Sequence, residues 1–208
     1  MSDLDLYTHH PLQLDPQSKA ISLPGASSDI AAELEQLNQL HAGLVALETP
    51  GNVPPPPLPV NPKRGTQIAK LKESANQSYA KGAYPDSIRL YTLAIEMAFG
   101  RPLWEPASLV RDDLSVLYSN RSQSYIAQQM WPEGLVDAKL SVACSPVKNS
   151  KSWYRGGRCL NEMARYEEAK DWLEKGIEIE AATSDNTKDL KKLLDDALAG
   201  LAKTGSSA

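Results

Sequence analysis

Apolar positions from residue 68 onward recur at helical spacing, and the segments that carry them are similar to one another at a period of about 34 residues. Three copies are visible. Equivalent small residues are Ala75, Ser122 and Gly157, and large aromatic residues recur around them. Small residues allow two helices to approach closely, and aromatic side chains fill the remaining space. The pattern predicts three helix–turn–helix repeats, over residues 68–99, 115–146 and 150–181.

The spacing of the copies also predicts an insertion and a cap. Ala75 and Ser122 are 47 residues apart, whereas Ser122 and Gly157 are 35 apart, so the first repeat is followed by extra residues around 100–106. After the third copy, leucines line one side of a predicted helix over 186–203. A stack of repeats leaves an apolar face at its end, and a helix with a polar outer side covers that face.

The first 48 residues have a different pattern. Two short alternating runs, 12–14 and 20–23, flank Asp15-Pro16-Gln17-Ser18, which suits a type I turn and predicts a small hairpin. From Ser28 to Glu48, apolar residues return at helical spacing, and Ser28 is the predicted N-cap. This amphipathic helix either folds back on its own domain or is held by a partner chain.

A proline-rich stretch at residues 53–59 follows and has the composition of a polyproline II spacer. It also matches a PxxP ligand, although a semi-rigid linker fits its position better. The predicted domains are therefore an N-terminal, partner-binding segment over 1–52, a linker over 53–63 and the repeat domain over 64–205.

Composition narrows the functional classes. Hydrophobic residues make up 41% of the chain and charged residues 23%, as in soluble globular proteins, and the net charge of −4 argues against general nucleic-acid binding. Cys144 and Cys159 have no metal or redox spacing. The adjacent His9 and His10 lack further ligands, so neither a metal site nor a cofactor is predicted. Little sequence remains for a catalytic domain, and we expect a binding protein rather than an enzyme.

Five polar residues form one predicted surface on the first helices of the repeats. Lys72 and Asn76 are four residues apart, as are Lys151 and Arg155, so each pair shares one helix face. Asn120 projects from the second repeat between them. Three cations and two amides on one face predict a site for carboxylates, because charged and amide N–H groups both donate to them.

These features resemble the tetratricopeptide-repeat (TPR) fold, a mainly α, right-handed helical solenoid, with the two-carboxylate clamp of chaperone-binding TPR domains. The clamp pattern is Lys-x-x-x-Asn, then Asn in Tyr-Ser-Asn-Arg, then Lys-x-x-x-Arg, and all five positions are present here. The resemblance implies an extended ligand with an acidic C-terminus, as in cytosolic heat-shock chaperones. It assigns Lys72, Asn76 and Asn120 to the terminal carboxylate, and Lys151 and Arg155 to an aspartate side chain.

The insertion Arg101-Pro102-Leu103-Trp104-Glu105-Pro106, with Leu93 to Ala98 before it, is similar to the small cytosolic TPR subunit of the fungal endoplasmic-reticulum translocon for post-translational import. Segments 153–155, 159–163 and 167–173 fit that family too. The resemblance implies a peripheral protein on the cytosolic face of the endoplasmic reticulum, bound to a membrane-anchored translocon subunit as a heterodimer and reaching the membrane only through it. The alternative is a soluble TPR co-chaperone adaptor with the same groove and no tie to the translocon.

Overall fold

The computed structural model describes residues 9–46, 60, 62–182 and 187–205. These residues fall into two units, Met1–Pro59 and Val60–Ala208. The predicted polyproline spacer at 53–59 lies outside the described residues. Across the described residues, no helix is both long and apolar enough to cross a bilayer.

The first unit begins with the predicted hairpin, which the structure confirms. Strands β1 (Gln13–Leu14) and β2 (Ile21–Ser22) pair antiparallel. The Asp15 carboxylate accepts a hydrogen bond from the Ser18 backbone N–H at 2.7 Å, and the Asp15 carbonyl accepts one from the Lys19 N–H at 2.9 Å. Lys19 adopts a left-handed conformation with φ of 59°, so the loop extends one residue beyond the predicted turn.

Helix α1 (Ser28–Val45) lies against β2. Its N-cap is Ser27, whose side chain accepts from the Ile30 N–H at 3.5 Å, so the predicted cap at Ser28 is wrong by one residue. The sequence offers two adjacent serines, and only the backbone geometry distinguishes them. The Asn38 carboxamide bonds both the N–H (2.6 Å) and the C=O (2.8 Å) of Ile21, which fixes the helix to the hairpin. No residue of α1 is fully buried.

The second unit is built from helix pairs, which confirms the mainly α, TPR-type fold. The pairs are α2 (Pro62–Ala80) with α3 (Tyr84–Phe99), α4 (Ala107–Ala127) with α5 (Trp131–Cys144), and α6 (Ser150–Glu162) with α7 (Tyr166–Ala181), followed by α8 (Lys188–Gly205). Helix α4 begins about two turns before the predicted second repeat, so much of the insertion lengthens this helix. The rest forms the link at residues 100–106.

The helix crossings are tightly packed, and small residues occupy them. Ala75 and Ser122 have no exposed surface. A Cβ atom added to Gly157 would lie 2.5 Å from Leu173 Cδ2, and one added to Gly176 would lie 2.9 Å from the Trp153 ring. These distances are shorter than normal atomic contacts, so a larger residue at either position would displace Leu173 or Trp153 where α6 and α7 cross.

The turn inside each repeat has one conformation in all three copies. Gly82, Gln129 and Ala164 stand at equivalent positions, with φ values of 77°, 60° and 56°. In the third repeat the Ala164 N–H donates to Asn161 O and the next N–H donates to Leu160 O, both at 2.9 Å. This is the Schellman pattern, which needs a left-handed residue after the helix. Only the first repeat uses glycine, which adopts that conformation without steric cost.

Buried serines line the interface of α4, α5 and α6. Ser141 Oγ donates to the Ser115 carbonyl at 2.7 Å and lies 2.9 Å from Ser152 Oγ, and Ser152 Oγ donates to Ser119 Oγ at 2.7 Å. The Asn149 amide adds bonds to Ser141 and to the end of α5. These polar groups bond one another, and their hydrogen bonds offset the cost of burying polar atoms at the interface.

Arg101 holds the inter-repeat link in place. Its side chain is 5% exposed and pairs with Glu105 and with Asp113, each at 2.7 Å. A nearly buried cation is stable only when it is paired, so the two carboxylates fix the path of residues 100–106 against α4.

The crossing at Gly157 gives a stability prediction. Gly157→Ala is expected to lower the free energy of unfolding by about 1–3 kcal/mol, because the new methyl group overlaps Leu173. Chemical denaturation measures the change. The matched control is Gly65→Ala in α2, where the nearest atom to the added Cβ is 3.7 Å away. The control should be neutral or up to about 1 kcal/mol more stable, from helix propensity alone. Equal effects of the two substitutions would contradict the packing argument.

The shared turn gives a reciprocal prediction. Ala164→Gly should raise the free energy of unfolding by about 0.5–1 kcal/mol, because glycine removes the strain of a left-handed alanine and loses only part of that gain to chain entropy. Gly82→Ala should lower the free energy of unfolding by a similar amount. No atom lies within 4 Å of the added Cβ, so the cost comes only from placing alanine in a left-handed backbone conformation. Thermal melting of both variants tests the pair, and shifts of the same sign would refute it.

Candidate functional site

The first helices of the three repeats, α2, α4 and α6, present the five predicted residues. Lys72 and Asn76 lie on α2, Asn120 on α4, and Lys151 and Arg155 on α6. Each position follows from helical spacing, because residues four apart stand one above the other on the same face.

Tyr91 orients the Asn76 amide. This α3 residue is 2% exposed, and its hydroxyl donates to Asn76 Oδ1. Burial raises the pKa of Tyr91 to about 12, while Asn120 and Arg155, which are close to the hydroxyl, act in the opposite direction. The phenol therefore stays protonated and donates. Because the Asn76 oxygen is occupied, its amino group is directed away from Tyr91 and remains available as a donor.

Arg155 extends from α6 onto α4 and is held there by three hydrogen bonds. Its Nε donates to Gln123 Oε1 at 2.9 Å, and its Nη1 donates to the carbonyl and the hydroxyl of Ser119 at 2.8 and 2.6 Å. Ser119 is itself fixed by the serine network described above. The guanidinium therefore has a defined orientation, with Nη2 making no hydrogen bond to a described residue.

All three acceptors of Arg155 are uncharged. By contrast, Arg101 and Arg121 pair with carboxylates at 2.7 Å. No carboxylate lies within 4 Å of the Arg155 guanidinium among the described residues. Burial lowers the pKa of Arg155, and nearby Tyr79 and Tyr91 act against this shift, yet an arginine remains cationic at neutral pH. The charge of a partly buried cation is poorly solvated, and without an internal counter-charge it attracts an anion that approaches it.

The two lysines add charge that is not neutralised. Lys72 is half-buried and Lys151 exposed, and neither forms an ion pair with a described residue. Together with Arg155 they place three positive charges along α2 and α6. Such an arrangement attracts anions and can donate hydrogen bonds to a carboxylate.

Adjacent depressions connect Lys72, Asn120, Lys151 and Arg155 into a groove. Lys72 lines a hollow of about 240 Å³, and Asn120 and Lys151 line a cleft of about 550 Å³. The hollow and this cleft share Asp112 and Val116. A second cleft of about 490 Å³ contains Lys151 and Arg155, so it continues from the first. The surface is long and shallow, which suits an extended chain rather than a compact small molecule.

Some residues of the groove were not among the sequence predictions. Gln123 and Ser119 hold Arg155, and Tyr91, which the sequence pattern identifies only as a packing position, orients Asn76. Gln123 follows Asn120 by three residues and so shares its helix face, which is the one sequence signal for it. Acidic residues also border the groove: Asp112 in the first cleft and Asp189, from α8, in the second.

Comparison with known proteins finds sequence relatives but no matching family model. The chain is 34% identical over 122 residues to the heat-shock protein cognate co-chaperone sgt12 of Aspergillus fumigatus, which covers 57% of this chain and 32% of the co-chaperone. It superposes with a TM-score of 0.70 on a chain in a cryo-EM structure of the Sec complex from S. cerevisiae. That likeness covers 93% of this chain and 98% of the other at 21% identity, and it shows the fold.

The match that identifies the family spans most of both proteins. The chain is 33% identical over 147 residues to the ER protein translocation subcomplex subunit sec67 of Schizosaccharomyces pombe, which covers 69% of this chain and 75% of sec67. Identity at this level over three quarters of the relative shows that the chain belongs to the sec67 family of ER protein translocation subunits.

Proposed function

We propose that this protein is a non-catalytic adaptor of ER protein translocation that docks heat-shock chaperones by binding their acidic C-terminal peptides in the groove. Membership of the sec67 family supports the role in translocation. The observation that carries the binding activity is Arg155: it is a partly buried guanidinium held by neutral acceptors, with two unpaired lysines along the same groove.

The five polar residues divide into two carboxylate subsites. Lys72, Asn76 and Asn120 bind the terminal carboxylate, with the Asn76 amino group aimed by Tyr91. Lys151 and Arg155 bind an aspartate side chain, and Nη2 of Arg155 is the donor that remains for it. Charge-assisted hydrogen bonds of this kind contribute about 1.5–3 kcal/mol each, and ordering of the peptide offsets much of the gain, so we expect roughly micromolar affinity.

The groove also offers apolar contacts between these subsites. Val116 and Val147 line the first cleft and are 46% and 44% exposed. Exposed valines in a concave surface bind apolar side chains of a ligand. A peptide with an apolar residue next to its terminal aspartate matches this combination of charges and valines.

Docking a chaperone at the translocon has a simple physical consequence. A precursor protein carried by that chaperone is held near the channel, and its effective concentration there rises without any further contact. For this to happen the adaptor must be at the membrane. We propose that it is peripheral, on the cytosolic face, and bound through residues 1–52 to a membrane-anchored subunit.

The first unit has a surface suited to that partner. In α1, the stripe residues Ile30, Leu34 and Leu40 are only half-buried, and Leu37 is 37% exposed. On the hairpin, Leu14 is 56% exposed. An amphipathic helix with no fully buried residue has apolar area available to another chain.

Peptide binding tests the groove directly. The probe is SGPTIEEVD, the Hsp70 peptide bound by the second TPR domain of human RPAP3. Lys72→Ala and Lys151→Ala should each weaken its binding about 10- to 100-fold, since each removes a charge-assisted contact. Calorimetric titration measures this, and higher salt should weaken wild-type binding.

Two controls accompany that titration. Lys70→Ala removes the same charge from α2 at an exposed position two residues away, on the opposite side of the helix, and should change affinity less than about twofold. Amidation of the peptide's C-terminus should abolish most binding. If the amide binds as tightly as the free acid, the groove does not act as a carboxylate clamp.

Fractionation tests the location. The protein should sediment with microsomes, be released by alkaline extraction without detergent, and be digested by protease added to intact vesicles. Deletion of residues 1–52 should shift it to the soluble fraction, whereas Lys72→Ala should leave it with the membrane. A wild-type protein found entirely in the soluble fraction would favour the co-chaperone alternative and contradict the translocon role.

A further inference from the structure

Gln123 contacts both neighbouring first helices from the middle of the groove. Its Oε1 accepts from Arg155 Nε of α6 at 2.9 Å, and its Nε2 donates to the Tyr79 hydroxyl of α2 at 3.2 Å. One carboxamide on α4 therefore links α2 and α6. Both ends of the amide are used, so its orientation is fixed.

The neighbouring Arg121 shows how this fold treats a structural arginine. On the same helix, Arg121 makes bonds of 2.7 and 2.9 Å to the two oxygens of Asp137, and a third of 2.8 Å to Thr92. The carboxylate neutralises its charge. Arg155 is held by as many bonds, but every acceptor is neutral. The difference between the two sites is the charge of the acceptor and not the number of bonds.

We propose that Gln123 is a specificity-determining residue: it positions Arg155 while leaving the guanidinium charge available for an acidic side chain of the ligand. This inference rests on the proposed function. An amide fixes Nε as well as a carboxylate would, but it brings no negative charge to compete with the ligand. The edge of the guanidinium that carries Nη2 then faces an incoming carboxylate without an internal counter-ion.

Gln123→Glu separates the positioning of Arg155 from its charge. Glutamate has the same shape as glutamine and can still hold the guanidinium, but it adds a negative charge. The new carboxylate accepts from Arg155 and also from the Tyr79 hydroxyl, so the fold keeps its bonds. We expect affinity for SGPTIEEVD to fall at least about tenfold, because the pair neutralises Arg155. The melting temperature without peptide should stay the same or rise, because a partly buried cation gains a partner.

A second peptide reports on the subsite itself. SGPTIEEVN keeps the terminal carboxylate but replaces the last acidic side chain with an amide. Wild-type protein should prefer the Asp peptide over the Asn peptide, and Gln123→Glu should lose most of that preference. A residue with only a structural role would weaken both peptides equally. The matched control is Gln129→Glu, the same charge change at an exposed position in the turn after α4, which should alter neither affinity nor preference.

The outcomes separate this inference from the proposed function. If Gln123→Glu binds as tightly and as selectively as wild type, or if it melts at a lower temperature, the inference about Gln123 is wrong and peptide binding stands. If wild type binds neither peptide, the proposed function is wrong. In that case the inference about Gln123, which rests on peptide binding, falls with it, whatever the melting temperature of Gln123→Glu.

Discussion

Close approach of paired helices is the constraint on which this structure depends. Where α6 and α7 cross, Gly157 and Gly176 leave room for Leu173 and Trp153, and no other residue fits there without displacement. Because every pair packs in this way, the first helices α2, α4 and α6 stand side by side. Side chains that are more than thirty residues apart in the chain, such as Arg155 and Gln123, then meet across the groove. The helix crossings therefore determine which side chains of the first helices come together in the groove.

The arginines inside the repeat domain are of two kinds, which differ in whether a carboxylate neutralises their charge. Arg101 and Arg121 are neutralised by carboxylates and stabilise a link and a helix pair. Arg155 is oriented by amide, carbonyl and hydroxyl oxygens, and its charge remains. The buried serines supply rigidity without charge: they hold Ser119 in place, and Ser119 holds Arg155. A groove built in this way is ordered before any ligand arrives, which lowers the entropic cost of binding.

The sequence predicts those features that depend on local spacing. Repeat period, helix pairs and the hairpin follow from periodicities of two, 3.6 or 34 residues, and helical spacing places Lys72 and Asn76 on one helix face. Features that depend on contacts between distant segments do not follow from it. The spacing from Asn120 places Gln123 on the same helix face, but it does not show that Gln123 contacts Arg155 and Tyr79. The role of Tyr91 requires knowing that α3 places its hydroxyl beside Asn76. The sequence pattern cannot distinguish Ser27 from Ser28 as the N-cap, because both are serines at adjacent positions.

The turns within repeats and the links between them differ in how much length variation they can accept. Residues 81–83, 128–130 and 163–165 form turns of equal length with the same left-handed residue, whereas the links at 100–106 and 145–149 differ in length. A residue added inside a repeat would rotate its second helix out of the stack. A residue added to the link at 100–106 leaves the helix pairs in place, whereas one added at 145–149 would also change the first cleft, which Val147 lines. The link at 100–106 is therefore the place where the chain can accept extra residues, and new contacts for a partner, while the groove keeps its shape.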